Sequence, residues 1–227
     1  MKGQQKKPNT SKHKFGYEVP PQGRYDIAKL LDMKAGDSKW ADSIKMEIEN
    51  LWTWDTFEEF DPKNAPDLDE YQFVNLMMCF DCKFDGRHKS RLVANGARTA
   101  DLDASIYSGV VSIRAVRLLL FLAQLNGLEV CAADVSQAYL YSDCMEKIYT
   151  KAGPEFGPEW EGKYLRIRKA LYGLKSSAAA YHMHLSKVLY KLGFIPSRAD
   201  SDLWIKDCDS HYEYIATWVD DLLIASK

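Results

Sequence analysis

The chain has 227 residues, 46% of them hydrophobic, and a formal net charge of −2. A chain of this length can bury a sizeable core, as one large domain or two small ones. The near-neutral charge excludes binding to nucleic acid through an overall positive field, so such binding would need local basic patches.

The N-terminal residues 1–14 are rich in lysine and contain no acidic residue, which predicts a disordered basic arm. The first predicted helix follows, capped by Asp37 or Ser38. Its apolar residues recur at helical spacing and should form one buried face: Trp40, Ile44, Ile48 and Leu51. Residues 55–70 are acidic and interrupted by proline, and they are interpreted as a connecting loop.

A β-hairpin is predicted over residues 73–94, with Asp85-Gly86 as its turn. The two-residue period of a strand would place Lys89 and Arg91 on one face of the returning strand. Cations projecting from one hairpin are suited to holding a polyphosphate, and a solvated strand face is the alternative.

Next, Ser112 should cap a helix over Ile113–Asn126 that ends before Gly127. Because this helix is apolar nearly all round, we expect it to be buried. A strand over Glu129–Ala133 then leads into Asp134, a carboxylate well placed to bind a metal at the edge of a sheet. Tyr139 would lie over the same site, further along the chain.

A third strand is predicted over 163–168, followed by a helix ending at Gly193, with one apolar face: Tyr181, Leu185, Val188, Leu189 and Leu192. The chain then runs into two apolar segments separated by Asp220 and Asp221, which we predict to be a hairpin turn. Two neighbouring carboxylates in an apolar hairpin are costly unless a cation lies between them. An ordinary acidic turn is the alternative, but the upstream Asp134 favours a metal site.

Four motifs in this order carry a family resemblance: Lys89-Ser90-Arg91-Leu92-Val93-Ala94, Asp134-Val135-Ser136-Gln137-Ala138-Tyr139-Leu140, Ala170-Leu171-Tyr172-Gly173-Leu174-Lys175-Ser176-Ser177 and Val219-Asp220-Asp221. Together they resemble the reverse transcriptase domain of copia-type LTR retrotransposons, from about residue 15 to the last residue. The resemblance implies an α+β fold, the fingers and palm of a right-hand polymerase, with an antiparallel palm sheet and helices packed on one face. The fingers hairpin would span about 73–94 and the palm about 105–227.

The resemblance also implies RNA-directed DNA polymerase activity, with two Mg²⁺ ions, or Mn²⁺ in their place, held by carboxylates. The implied metal and catalytic residues are Asp134, Asp220 and Asp221, with the carbonyl of Val135 as a further ligand; the family favours Asp220 as the closer of the two neighbours. Lys89, Arg91 and Tyr139 would bind the nucleotide, with Tyr139 against the sugar, selecting deoxynucleotides. Tyr172, Gly173, Lys175 and Trp218 would contact primer and template.

The implied partners are an RNA template, a DNA primer, deoxynucleoside triphosphates and the remaining polyprotein domains of an intact element. No secretion signal or membrane-spanning run is evident and the five cysteines are irregularly spaced, so we expect a cytoplasmic protein, within a virus-like particle if the element is intact. The chain ends six residues after Asp221, so the thumb and ribonuclease H regions are expected to be absent.

Some positions depart from the family pattern, including Trp218 in place of a tyrosine and the stretch 178–181. Two alternatives to an active polymerase therefore remain. One is a catalytically inactive remnant that keeps the fold, with or without nucleic-acid binding. The other is an unrelated metal-dependent hydrolase using the same three aspartates, which would leave Tyr139 and Lys175 without a role.

Overall fold

The computed structural model describes residues 11–99 and 108–227. The helices are α1 (Tyr25–Ala35), α2 (Lys39–Thr53), α3 (Ile113–Asn126) and α4 (Ser177–Lys191). The strands are β1 (Lys12–Lys14), β2 (Tyr17–Val19), β3 (Phe57–Glu59), β4 (Gln72–Phe73), β5 (Leu76–Cys82), β6 (His88–Ala94), β7 (Glu129–Asp134), β8 (Ile148–Lys151), β9 (Tyr164–Ile167), β10 (Ile195–Pro196), β11 (Leu203–Asp207), β12 (Tyr212–Trp218) and β13 (Asp221–Ser226). The expected mixture of helices and sheets is confirmed. In the described part of the chain, no helix is long and apolar enough to cross a membrane.

These elements divide between two compact units. The first contains the described residues up to Thr99 together with Lys147–Leu174, and the second contains the described residues from 108 to Glu146 together with Lys175–Lys227. The palm expected over about 105–227 stays a prediction, and residues 105–107 of it lie outside the described residues. A segment from the middle of that range folds with the N-terminal unit.

Aromatic packing explains why this segment belongs to the first unit. The ring of Trp52, at the end of α2, lies 4.7 Å from that of Trp160, and Phe57 on β3 lies 5.3 Å from Phe156. The segment also supplies β8 and β9 to a four-stranded sheet of order β3-β9-β8-β4. Burial of these large rings stabilises the association of chain segments that are far apart in sequence.

The N-terminal arm differs from the expectation where it is described. Residues 1–10 lie outside the described residues, but Lys12–Lys14 forms β1 and pairs with β2. The ammonium group of Lys14 lies 2.5 Å from the carboxylate of Asp81 on β5. Pairing and this ion pair order residues that the sequence alone placed in a disordered arm.

The first predicted helix is confirmed as α2, and its four predicted apolar residues are all buried. Its cap is different from the prediction. Ser38 occupies the capping position but makes no side-chain cap hydrogen bond; instead the buried carboxylate of Asp32 in α1 accepts hydrogen bonds from the backbone N–H groups of Trp40 and Ala41, at 3.0 and 2.8 Å. A carboxylate at this position satisfies free N–H donors and complements the positive end of the helix.

The predicted hairpin is confirmed as the two-stranded pair β5–β6, with Gly86 in the turn at φ 82°. A positive φ is accessible to glycine because it has no Cβ. Phe73, which the sequence placed in this hairpin, lies instead in β4 and pairs in parallel with β8 of the four-stranded sheet. The chain thus leaves one sheet and enters another between Phe73 and Leu76.

The second unit is built on an antiparallel five-stranded sheet of order β10-β11-β12-β13-β7. The expectation that helices pack on one face of this sheet is wrong. Leu119 of α3 packs in a cluster with Ala216 and Ala225, whereas Leu189 of α4 packs with Trp204 and Ile215. Successive residues of a strand point to opposite faces, so Ala216 and Ile215 mark opposite faces and each helix covers one of them.

The expected burial of α3 is also only partly correct. Ser112 and Gly127 begin and end the helix as predicted, and a stripe of Ala115, Leu119 and Ala123 is buried. However, Phe121 and Leu125 are 63% and 69% exposed. A helix that packs on one face of a sheet buries only the stripe of side chains that contacts the sheet. The apolar side chains on the opposite side of α3 therefore stay exposed.

Candidate active site

The three predicted catalytic aspartates meet at one end of the five-stranded sheet. β7 pairs with β13 so that Asp134 stands directly opposite Asp221. Just beyond this pair, the backbone N–H of Val135 donates a hydrogen bond of 2.8 Å to the carbonyl oxygen of Asp220. Sheet pairing therefore brings together carboxylates from two distant parts of the sequence.

The turn between β12 and β13 differs from the predicted one. Trp218 pairs with Asp221, so the two turn residues are Val219 and Asp220, and Asp221 already belongs to the strand. The positive φ lies at Val219, at 54°. A β-branched residue is rarely found in this region, and such strain is typically about 1–3 kcal/mol. Strained residues often occur at functional sites, and this one directly precedes Asp220.

The aspartates are accessible but do not form a tight cage. Asp134 and Asp221 are exposed and Asp220 is half-buried. In the described residues, the three aspartates are not among the groups whose ligand atoms all lie within 4.8 Å of one another. Their exposure leaves room for the water and substrate oxygens that Mg²⁺ usually keeps in its coordination shell.

The negative charge of this site contributes to raised pKa values at two tyrosines. Burial, and then the charge of Asp220, raise the pKa of Tyr139. Burial, followed by the charges of Asp220, Tyr141 and Asp134, raises the pKa of Tyr181 to about 12. The two rings pack edge to face at 6.2 Å. Both phenols therefore stay protonated at neutral pH beside the carboxylates.

Tyr181 was assigned from the sequence only to the apolar face of a helix. Its side chain is 2% exposed, and its hydroxyl is buried without a hydrogen-bond partner in the described part of the chain. The spacing that predicts a buried helix face gives no sign of this hydroxyl. Its position near Asp220 and Asp134 emerges only from the packing of α4.

The N-terminus of α4 is held by a buried carboxylate. Glu146 accepts hydrogen bonds from the backbone N–H of Ser176, at 3.2 Å, and from the Ser176 hydroxyl. Both residues are buried. Because charge-assisted hydrogen bonds are among the stronger ones in proteins, this contact fixes the start of the helix that carries Tyr181.

Trp218, a predicted primer contact, lies beside the aspartates on the last position of β12. It pairs with Asp221, which in turn pairs with Asp134, so the three residues form one row across the sheet. The indole is 52% exposed. A broad apolar surface therefore borders the carboxylates.

The predicted nucleotide-binding cations lie in the first unit. On β6, Lys89 and Arg91 alternate with the buried Ser90 and Leu92, so they share the other face of the strand. Burial raises the pKa of the Glu47 carboxyl on α2, and the positive charges of Arg91 and Lys89 partly offset this rise. The backbone N–H of Leu92 donates a 3.0 Å hydrogen bond to the same carboxylate.

The predicted Tyr172-Gly173 motif meets the end of the same hairpin. The guanidinium carbon of Arg91 lies 5.2 Å from the centre of the Tyr172 ring, and the backbone N–H of Ala94 donates to the Tyr172 carbonyl at 2.7 Å. At Gly173, φ is 91° and a Cβ atom would lie 2.0 Å from the carbonyl oxygen of Ala94. Only glycine permits this approach.

The predicted site residues thus fall into two groups. Lys89, Arg91, Tyr172 and Gly173 belong to the first unit. The second unit contains Asp134, Val135, Tyr139, Lys175, Trp218, Asp220 and Asp221. Each group is assembled by contacts within its own unit.

Comparison with known proteins identifies the family. A family model described as reverse transcriptase (RNA-dependent DNA polymerase) matches residues 67–227. The Transposon Ty1-LR2 Gag-Pol polyprotein of Saccharomyces cerevisiae is 32% identical over 212 residues, which cover 90% of this chain and 12% of the relative. The Ty1-DR4 Gag-Pol polyprotein of the same organism is also 32% identical, over 90% of this chain and 13% of its own length. The chain thus spans about an eighth of the curated relatives that it matches. It belongs to the reverse transcriptase (RNA-dependent DNA polymerase) family, as a copia-type retrotransposon member.

Proposed function

We propose that this chain provides the fingers and palm of a polymerase that adds deoxynucleotides to the 3′-hydroxyl of a primer on an RNA template. Asp134, Asp220 and Asp221 are proposed to hold two divalent metal ions. The observation that carries the proposal is the pairing of β7 with β13, which sets Asp134 opposite Asp221 and next to Asp220. Membership of the reverse transcriptase family favours a polymerase over the metal-dependent hydrolase considered from the sequence.

The chemistry of the donors fits such ions. Carboxylate and carbonyl oxygens are the ligands that Mg²⁺ and Mn²⁺ prefer. Two bound ions would activate the primer hydroxyl and stabilise the charge that develops on the pyrophosphate. The exposed Asp134 and Asp221 and the half-buried Asp220 leave access for substrate oxygens.

The neighbouring side chains have complementary roles in this proposal. Tyr139, whose raised pKa keeps its hydroxyl neutral beside Asp220, is proposed to lie against the sugar of the incoming nucleotide and exclude a 2′-hydroxyl. The exposed indole of Trp218 is proposed to support the primer end. In the first unit, Lys89 and Arg91 are proposed to bind the triphosphate, and Tyr172 and Gly173 to contact primer and template. Lys175, in the second unit, is likewise proposed to contact primer and template.

Binding of Mn²⁺ tests the metal site without requiring turnover. We expect the chain to bind Mn²⁺, measured by electron paramagnetic resonance of the free ion, and Asp134→Asn to weaken this binding at least about tenfold. A tenfold change in affinity corresponds to about 1.4 kcal/mol of binding free energy. Loss of one charged ligand from a site with few ligands should cost at least this much.

Asp69→Asn is the matched control, because it removes an exposed carboxylate from the first unit. Its Mn²⁺ affinity should equal that of the wild type. Equal affinities in all three proteins would contradict the proposed site. Intact metal and nucleic-acid binding without extension of any primer would instead support a catalytically inactive remnant.

Arg91→Ala should weaken the binding of a deoxynucleoside triphosphate about tenfold or more, because charge-assisted hydrogen bonds contribute roughly 1.5–3 kcal/mol each. Stability should fall by much less, since the contact between Arg91 and the Tyr172 ring is partly exposed and such contacts contribute about 0.5–1 kcal/mol. Equilibrium binding of a labelled nucleotide and urea denaturation provide the two measurements.

Arg87→Ala provides the control for this pair of measurements. Arg87 lies at the turn of the same hairpin, pairs with Asp85 and has a side chain that is 79% exposed. Its loss should change neither nucleotide affinity nor stability appreciably. An Arg91→Ala protein with the nucleotide affinity of the wild type would remove Arg91 from the proposed triphosphate site.

A further inference from the structure

We propose that Cys208, His211 and Glu213 form a second metal site, specific for Zn²⁺, at the turn between β11 and β12. In the described residues, their ligand atoms are the one group of three His, Cys, Asp or Glu side chains that all lie within 4.8 Å of one another. The fourth ligand would be water. This site belongs to the second unit and is separate in sequence and in ligand chemistry from the aspartates.

The backbone of the turn brings the three side chains together. The backbone N–H of Cys208 donates to the carbonyl of His211 at 2.9 Å, and that of Ser210 donates to the carbonyl of Cys208 at 2.7 Å. Asp209 takes a positive φ of 62°, which closes the tight turn. His211 directly precedes β12 and Glu213 is the second residue of this strand, and Nε2 of His211 lies 3.9 Å from the Glu213 carboxylate.

An unpaired ring nitrogen points to a ligand. Nδ1 of His211 lies 3.0 Å from the Ser210 hydroxyl, whereas Nε2 is buried and has no hydrogen-bond partner in the described part of the chain. The nearest carboxylate oxygen of Glu213 is 3.9 Å from Nε2. A buried, unpaired polar atom is destabilising, and a metal ion would satisfy it. The contact at Nδ1 would orient the ring, as the outer partners of metal-bound histidines usually do.

The thiol of Cys208 and the carboxylate of Glu213 have a cation as a neighbour. Lys206 is the cation beside them, with its ammonium group 3.9 Å from Glu213 and stacked over the Phe194 ring. A zinc ion bound by the three ligands would lie at about 2.0–2.2 Å from the carboxylate oxygen, closer than the ammonium group of Lys206.

The ligand types select the metal. A thiolate, an imidazole and a carboxylate are the ligands of Zn²⁺, whereas Mg²⁺ prefers oxygen alone. Zn–ligand distances of about 2.0–2.3 Å set tetrahedral ligand–ligand distances near 3.3–3.7 Å. No pair of ligand atoms therefore has to close by more than about 1.5 Å, which side-chain rotation at a surface turn can supply.

Cobalt titration of the whole chain tests this site. Co²⁺ replaces Zn²⁺ and gives thiolate-to-metal charge-transfer absorption when a cysteine binds it, whereas oxygen ligands alone do not. We expect this absorption to saturate at one ion per chain, to be displaced by Zn²⁺, and to disappear in Cys208→Ser. Ions bound by the aspartates would contribute no such signal, so this result is independent of the proposed polymerase site.

Cys131→Ser is the matched control, because Cys131 is a free, exposed cysteine on β7 of the same unit. It should keep the signal of the wild type. His211→Gln and Glu213→Gln should weaken cobalt binding at least about tenfold, and they keep the test decisive if Cys208→Ser does not fold. Absence of the signal in the wild type, or its persistence in a folded Cys208→Ser or His211→Gln protein, would overturn the proposal.

Discussion

Replacing Asp220 with asparagine should reduce single-nucleotide primer extension by about a thousandfold or more. A loss of about 4 kcal/mol in transition-state stabilisation accounts for this factor, because the remaining carboxylates cannot hold two metal ions in line with the reacting oxygens. The assay uses excess protein, an RNA template, Mg²⁺ or Mn²⁺ and low salt, since phosphate contacts weaken as salt rises.

The same substitution should leave the fold intact. Asp220 is half-buried next to other carboxylates, so loss of its charge relieves repulsion and stability should stay equal or rise slightly. Asp69→Asn serves again as the control and should keep the activity of the wild type. Extension at the wild-type rate by Asp220→Asn would refute the assignment of this aspartate.

Gly173→Ala should destabilise the protein by at least about 3 kcal/mol, the largest stability effect that we expect from a single methyl group. The positive φ of 91° costs alanine roughly 1–3 kcal/mol, and the added Cβ would lie 2.0 Å from the Ala94 carbonyl oxygen, so the backbone must shift as well. The shift would also break the hydrogen bond between Ala94 and Tyr172. Urea denaturation provides the measurement.

Gly127→Ala separates the two contributions. Gly127 also has a positive φ, of 61°, but a Cβ atom there would meet nothing within 4 Å. Its substitution should therefore cost only about 1 kcal/mol, from backbone strain at the end of α3. If both alanine variants lose the same small amount, the close approach at Gly173 does not contribute to stability.

Local signals in the sequence predicted several elements well. The spacing of Trp40, Ile44, Ile48 and Leu51 predicts α2, and Ser112 and Gly127 delimit α3, because caps and amphipathic spacing act within a few residues. The serine hydroxyl does accept the backbone N–H of Ala115. These features depend on neighbours in the chain and can be read without knowledge of the tertiary structure.

The features that the sequence did not predict depend on distant residues. Asp32 caps α2 from another helix, and the stretch around Phe156 and Trp160 packs on α2 rather than joining the second unit. The turn at Val219 was misplaced because two aspartates are better turn residues than valine, yet the pairing of Asp221 with Asp134 sets the register. The positions of Tyr181 and of the Cys208 cluster follow from packing and turn geometry that residue spacing does not specify.

The return of the chain to the first unit has a consequence during protein synthesis. Within the described residues, β3 pairs only with β9 and β4 pairs only with β8. At roughly 5–20 residues per second, these partners leave the ribosome roughly 4–20 s after β3 and β4. For that interval the two short strands have unpaired edges, which are sites of misassociation in nascent chains. A ribosome that stalls before β8 has emerged would therefore present an N-terminal unit without its central strands. One that stalls after β9 has emerged would allow the sheet to close.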